Sequence, residues 1–265
     1  MAQHLEKHLA TCPCVDEMKK EVDYLCKIKP GDPEKPLGRP VSATAEIDEK
    51  MNNCITFHHW AAAVFTSSSA FFSRENVALP GVALYFKILA QCEINDAWMV
   101  IDFLSKRGAV VKFGPVAAPP SDWVKNQDFS EVLIAFIKSL AIFKAAAKKA
   151  AEEIGLACKM NDVQAIPFLN KCAFQLDEKI RCTSHYVSHL KQVETDMHAV
   201  KNFDRRLPFD IEELAFAAGT EAAIQTRLMI GSVLRAECRE TKKFDDLMKD
   251  GYENLLARRT LNRVK

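Results

Sequence analysis

Two acids three residues apart, Glu93 and Asp96, interrupt an otherwise apolar stretch between Pro80 and Lys106. On a helix that spacing puts both carboxylates on one face. Leu89, Glu93, Asp96, Val100 and Phe103 step by 4, 3, 4 and 3, the spacing of a seam turned toward neighbouring helices. Acids on such a seam must be paired, metal-bound or placed where the helices open to water. A second titratable group falls on a similar seam. Met51, Ile55, His58, Ala62, Phe65, Ser69 and Phe72 again alternate steps of 4 and 3, so His58 points inward and its neighbour His59 does not.

The elements that must carry these residues read clearly. The spacing predicts a helix of about 29 residues from Ser42 or Thr44, either of which can cap it, to near Ser73. A short turn leads to a second helix over Pro80 to Lys106, so the pair must lie antiparallel. Gly108, Gly114, Pro115, Pro119 and Pro120 mark a longer connection that carries the chain back before a third helix, Asp122 to Lys159. The third seam, Phe129, Leu133, Phe136, Leu140, Phe143 and Ala147, holds no acid and no histidine. Asn161-Asp162 breaks the chain, and a fourth helix runs to about Val200 with Leu169, Ala173, Leu176, Ile180, Val187 and Leu190 as its stripe. The expectation is an all-α four-helix bundle with one long crossover.

Flanking segments complete the division. Residues 1–27 read as an amphipathic arm, 28–41 as a Pro/Gly-rich linker, 42–200 as the bundle and 201–265 as a helical extension. In that extension Leu207-Pro208 ends a polar stretch, Asp210 can cap a fifth helix to about Glu240, and Phe244 to Leu256 is a last amphipathic piece.

Composition narrows the classes. Hydrophobic residues make up 48% of the 265, enough for a sizeable core, and only nine glycines favour helix over strand. With 36 basic and 35 acidic residues, no global field points to nucleic acid or a membrane surface. No apolar run approaches the roughly 20 residues of a membrane span, and the start of the chain lacks the apolar region of a secretory signal. A cytoplasmic protein is the expectation. The nine cysteines are then free thiols rather than a disulfide framework. Cys12-Pro13-Cys14 with His4 and His8 matches no standard zinc spacing.

The sequence also resembles the eukaryotic ferritin family. Phe72-Ser73-Arg74-Glu75-Asn76-Val77-Ala78-Leu79, Tyr85-Phe86, Arg107-Gly108, Asp122-Trp123, Asn161-Asp162, Phe168 and Tyr186-Val187 follow the ferritin order over about residues 44 to 200. The resemblance implies a hollow cage of about 24 four-helix subunits. It also implies a two-iron oxidation site whose pattern is a Glu on the first helix, Glu-x-x-His on the second, a Glu on the third and a Gln on the fourth.

This chain departs from that pattern. His58 stands at the first-helix Glu, Glu93 is kept, Asp96 replaces the histidine, and Asp177, or Leu176 with a one-residue slip, matches the glutamine. The third-helix candidates from Ile137 to Phe143 include no acid but do include Lys138. The positions of the iron-entry pore match Pro167 and Asn170, and those of the mineral-nucleating face match Cys92, Asn95 and Trp98. His58, Glu93, Asp96 and Asp177 then form either a rearranged, weak metal site or a salt link filling a vacated one.

Three functions are expected from this. One is a ferritin-like cage subunit tied to iron storage that lacks efficient ferroxidase activity and acts structurally, as a homo-oligomer or with competent subunits. A second resembles artemin, a crustacean stress protein regarded as a chaperone, in overall pattern only. It would bind RNA or client proteins through a C-terminal segment with eight basic and five acidic residues between Arg239 and Lys265. A third is a metal-dependent oxidase using the rearranged ligands.

Overall fold

The computed structural model describes residues 39–40, 42–119, 130–193 and 196–217, with Lys20, Asp23, Cys26 and Lys27 as isolated positions before them. Five helices account for most of it: α1 (Ala45–Phe72), α2 (Pro80–Lys106), α3 (Ser130–Lys159), α4 (Ala165–Val193) and α5 (Met197–Ala217). No strand occurs among the described residues, and no described helix is long and apolar enough to cross a membrane. Apart from those four positions, the proposed N-terminal arm, nearly all of the linker and the chain beyond Ala217 lie outside the described residues.

The chain divides into two compact units, each taking one segment of α1 to α4. In the first (residues up to Phe57, Ala97–Pro115 and Ala145–Glu178), the start of α1 meets the end of α2. Ile47, Met51, Ile55, Val100 and Leu104 form its core with Ala157, Ala165 and Leu169, so α1 and α2 run antiparallel as their short connection requires. Gly108 (φ 68°) and Asn161 (φ 52°) adopt the left-handed conformation just past α2 and α3. At each end a 6→1 bond closes the helix, Ala109 N to Leu104 O at 2.9 Å and Asp162 N to Ala157 O at 2.9 Å. Asp162 then caps α4 by accepting Ala165 N at 3.0 Å and pairs with Arg107, both side chains being fully buried. The crossover is stitched to α1 by Asn52, which donates to Val110 O and accepts Lys112 N, and by Thr56 Oγ1, which accepts Gly114 N. Thr44 stands just before α1 and its carbonyl accepts Asp48 N at 3.2 Å, but its side chain makes no cap, since Oγ1 is buried without a hydrogen bond.

The second unit (His58–Asp96, Val116–Lys144 and the chain from Lys179) is aromatic at its centre. Phe65, Phe72, Phe86, Phe136 and Phe143 are all nearly inaccessible, and neighbouring rings lie 5.5–6.2 Å apart in tilted, edge-on and stacked pairs. Tyr85 stacks on Phe136 at 4.7 Å and shares a 3.3 Å hydrogen bond with Thr183 of α4.

Here the expectation for the fifth helix is corrected. It begins at Met197, not at Asp210, and runs through Pro208. Asp196 is its cap, accepting His198 N at 2.8 Å and Ala199 N at 3.2 Å. A proline inside a helix leaves the carbonyl four residues back without its donor, and here that carbonyl belongs to Asp204. It packs on the start of α2 instead, so close to Gly81 that a Cβ there would overlap it. The Asp204 side chain accepts Val82 N at 2.8 Å and so caps α2 from another helix. The rest of the expected reach to Glu240, beyond Ala217, and the piece from Phe244 to Leu256 lie outside the described residues.

Candidate functional site

Three of the four residues singled out by the sequence meet inside the second unit. One ligand atom each from His58 of α1 and from Glu93 and Asp96 of α2 lies within 4.8 Å of the other two. The antiparallel pairing of α1 with α2 makes this meeting possible, because each residue sits on its helix's inward seam. Glu93 is 2% exposed, and its Oε2 lies 2.8 Å from His58 Nδ1. Asp177 stays apart: it is exposed on α4 and is not in this group.

The fourth member is a residue that sequence reasoning missed. Lys179 of α4 sets its ammonium 2.7 Å from Glu93 Oε1 and 2.6 Å from Asp96 Oδ2. Its Nζ also lies 5.5 Å from the centre of the Phe143 ring of α3, within reach of a cation–π contact. The signal for it was present in the sequence. Leu176, Lys179, Thr183, Tyr186 and Leu190 step by 3, 4, 3 and 4, a seam beside the stripe chosen through Ile180 and Val187.

Electrostatics follow the geometry. Burial alone would raise the Glu93 carboxyl, but the Lys179 ammonium and the His58 ring more than offset it and hold the group down at about 2. Burial likewise opposes the charge on Lys179, and Glu93 and then Asp96 overcome it, keeping the lysine protonated well above its ordinary range. Glu93 is therefore an anion that accepts hydrogen bonds on both oxygens, and Nδ1 of His58 carries the hydrogen it donates. Cys92, the residue before Glu93, is a half-buried thiol pushed up to about 11, chiefly by desolvation.

These donors do not fit a pair of iron ions. A bridged pair needs carboxylates from several helices, whereas both acids here come from α2, and α3 contributes the Phe143 ring. One imidazole and two carboxylates suit a single divalent transition ion, and an ammonium already occupies the space between the acids.

A second polar pair lies in the first unit. Cys54 Sγ sits 3.5 Å from each oxygen of Glu153. Burial raises both groups, and Glu153 raises the thiol further. This arrangement disfavours the thiolate needed for reactivity or metal binding.

Comparison with known proteins agrees with the fold. Residues 49–193 match the ferritin-like domain family. A soybean (Glycine max) protein named Ferritin-3, chloroplastic, is 30% identical over 193 residues, covering 72% of this chain and 73% of the relative. The maize (Zea mays) Ferritin-2, chloroplastic, is 28% identical over 72% of this chain and 74% of its own length. Among solved structures, ferritin from the green alga Ulva pertusa superposes with a TM-score of 0.66 at 26% identity, covering 72% of this chain and 96% of that one. The expected all-α, ferritin-like four-helix bundle thus stands. The cytoplasmic expectation does not: the plant relatives are named as chloroplastic proteins.

Proposed function

Since the chain belongs to the ferritin family, we propose that it is a subunit of an iron-storing cage which does not itself oxidise iron rapidly. It serves structurally, as a homo-oligomer or in co-assembly with ferritin chains that carry a working site. Iron is the cargo of the assembly rather than a resident of this subunit. The compartment of the plant relatives makes the plastid the place to look for it.

One observation carries the reading. The two acids that would face a metal are already joined to Lys179, and the buried one also to His58. Family patterns supply the alternative arrangement, a carboxylate on each of several helices, and this chain has none on α3 between Ile137 and Phe143. The face of α2 that would nucleate mineral presents Asn95 and Trp98, the latter 60% exposed, in place of acids. The chaperone and RNA readings rest on a basic end that lies outside the described residues, and no observation favours them.

The test is the native mass of the full chain, alone and mixed with a ferritin subunit of known oxidase activity, before and after aerobic Fe(II). The reading expects an assembly of about 24 subunits that gains mineral only when the competent chain is present. A monomer that never enters a cage would remove it.

A further inference from the structure

The centre of the site has the shape of a cation seat that the chain fills with its own side chain. Glu93 and Asp96 come from one face of α2 and converge on a single ammonium, at 2.7 and 2.6 Å. Those are charge-assisted distances at which little room remains for another positive ion. The lysine arrives from α4 and is covered on a further side by the Phe143 ring of α3. His58 completes the ring of groups from α1. All four long helices thus contribute to holding one positive charge, and that charge is covalently tethered.

A tethered cation competes with a free one at very high effective concentration, since it pays no translational entropy to occupy its seat. An incoming divalent ion would have to expel the ammonium. The displaced Lys179, only 19% exposed at its side chain, would then sit unpaired beside a dication, which is costly in a partly buried site. We propose that Lys179 is a built-in competitor that keeps this site free of metal, and that His58, Glu93 and Asp96 bind one divalent transition ion once the ammonium is removed. The donor set of one nitrogen and two carboxylates favours Fe2+, Co2+ or Zn2+ over Ca2+, which seeks six or more oxygens. This inference rests on the reading of the subunit as one without a working two-iron site, and the two fail differently.

The experiment uses the full chain and Co2+, whose visible bands report on its ligands. Wild type is expected to show no saturable Co2+ binding and no Co2+-dependent rise in melting temperature. Lys179→Met is expected to bind one Co2+ per chain, with a raised melting temperature, and Lys179→Arg to behave as wild type. Adding His58→Ala or Glu93→Gln to Lys179→Met should weaken that binding by about tenfold or more, as loss of a coordinating or orienting group does. If Lys179→Met does not fold in the absence of metal, Co2+ is expected to restore its helical circular dichroism. A folded Lys179→Met chain that binds no Co2+, or an unfolded one that Co2+ does not rescue, overturns the inference while leaving the proposed function intact. Tight Co2+ binding by wild type with Lys179 in place also overturns it. Rapid iron oxidation by wild type would instead remove the reading on which it rests.

Discussion

Glu93 accepts His58 Nδ1–H at 2.8 Å on one carboxylate oxygen and engages Lys179 with the other, so a fully buried anion is satisfied on both sides. Its folded pKa of about 2 lies below the ordinary 4.5. The stability this contributes is therefore fully present above about pH 4.5 and is lost as pH falls from there toward 2. Replacing Glu93 with Gln should cost about 3 kcal/mol at pH 7. The gap between the two proteins should close as pH falls through that window. Urea unfolding as a function of pH checks both statements, and a pH-independent gap would contradict them.

Asp204 and Gly81 join α5 to the start of α2. Losing the cap to Val82 N through Asp204→Ala should cost about 1–2 kcal/mol. Gly81→Ala should cost more, about 3 kcal/mol, because its Cβ must displace backbone rather than a mobile side chain. Chemical denaturation of the two variants gives the order directly. Equal tolerance of both would mean that α5 does not seat on α2 in this way.

Much of this was readable in the sequence, and the failures have physical causes. The bounds of α2 were correct because Pro80 opens it and Gly108 closes it, two strong local signals. His58, Glu93 and Asp96 were found because 4, 3 stepping on two antiparallel helices brings inward residues together. Lys179 was missed because a lysine on an apolar seam is read as a neighbour of the core, and only the carboxylates of another helix justify it there. The start of α5 was missed for a similar reason. A proline usually ends a helix, and the glycine that accommodates the freed carbonyl lies more than a hundred residues earlier.

Arg107 is the cationic centre of the first unit. Its guanidinium pairs with Asp162 at 2.5 Å and lies 3.1 Å from Asp48 Oδ1 through Nε, an ion pair not aligned as a hydrogen bond. Arg107→Ala leaves the fully buried Asp162 without its cation and Asp48 with Arg39 alone, and about 3–5 kcal/mol of stability should be lost. Arg107→Lys should recover only a small part, because one ammonium cannot serve both partners with a guanidinium's reach. Thermal and urea denaturation of the two variants test this; near-complete rescue by lysine would contradict it.

The thiols should divide by environment. Cys54 and Cys92 are held protonated, by burial first and by nearby carboxylates second. Cys26 and Cys158 are exposed. A short iodoacetamide pulse at pH 8, read by mass spectrometry, should label the exposed pair first and reach Cys54 and Cys92 mainly after unfolding. Early labelling of Cys54 would mean that its pairing with Glu153 does not shield it.

A subunit with Lys179 between Glu93 and Asp96 should not oxidise iron by itself. The most direct measurement is the initial rate of Fe(II) oxidation by oxygen on the purified full chain, beside a protein-free control and Glu93→Ala. The wild-type rate is expected to lie close to the control and to be unchanged by the substitution. A fast rate that saturates with added iron and disappears in Glu93→Ala would contradict this expectation.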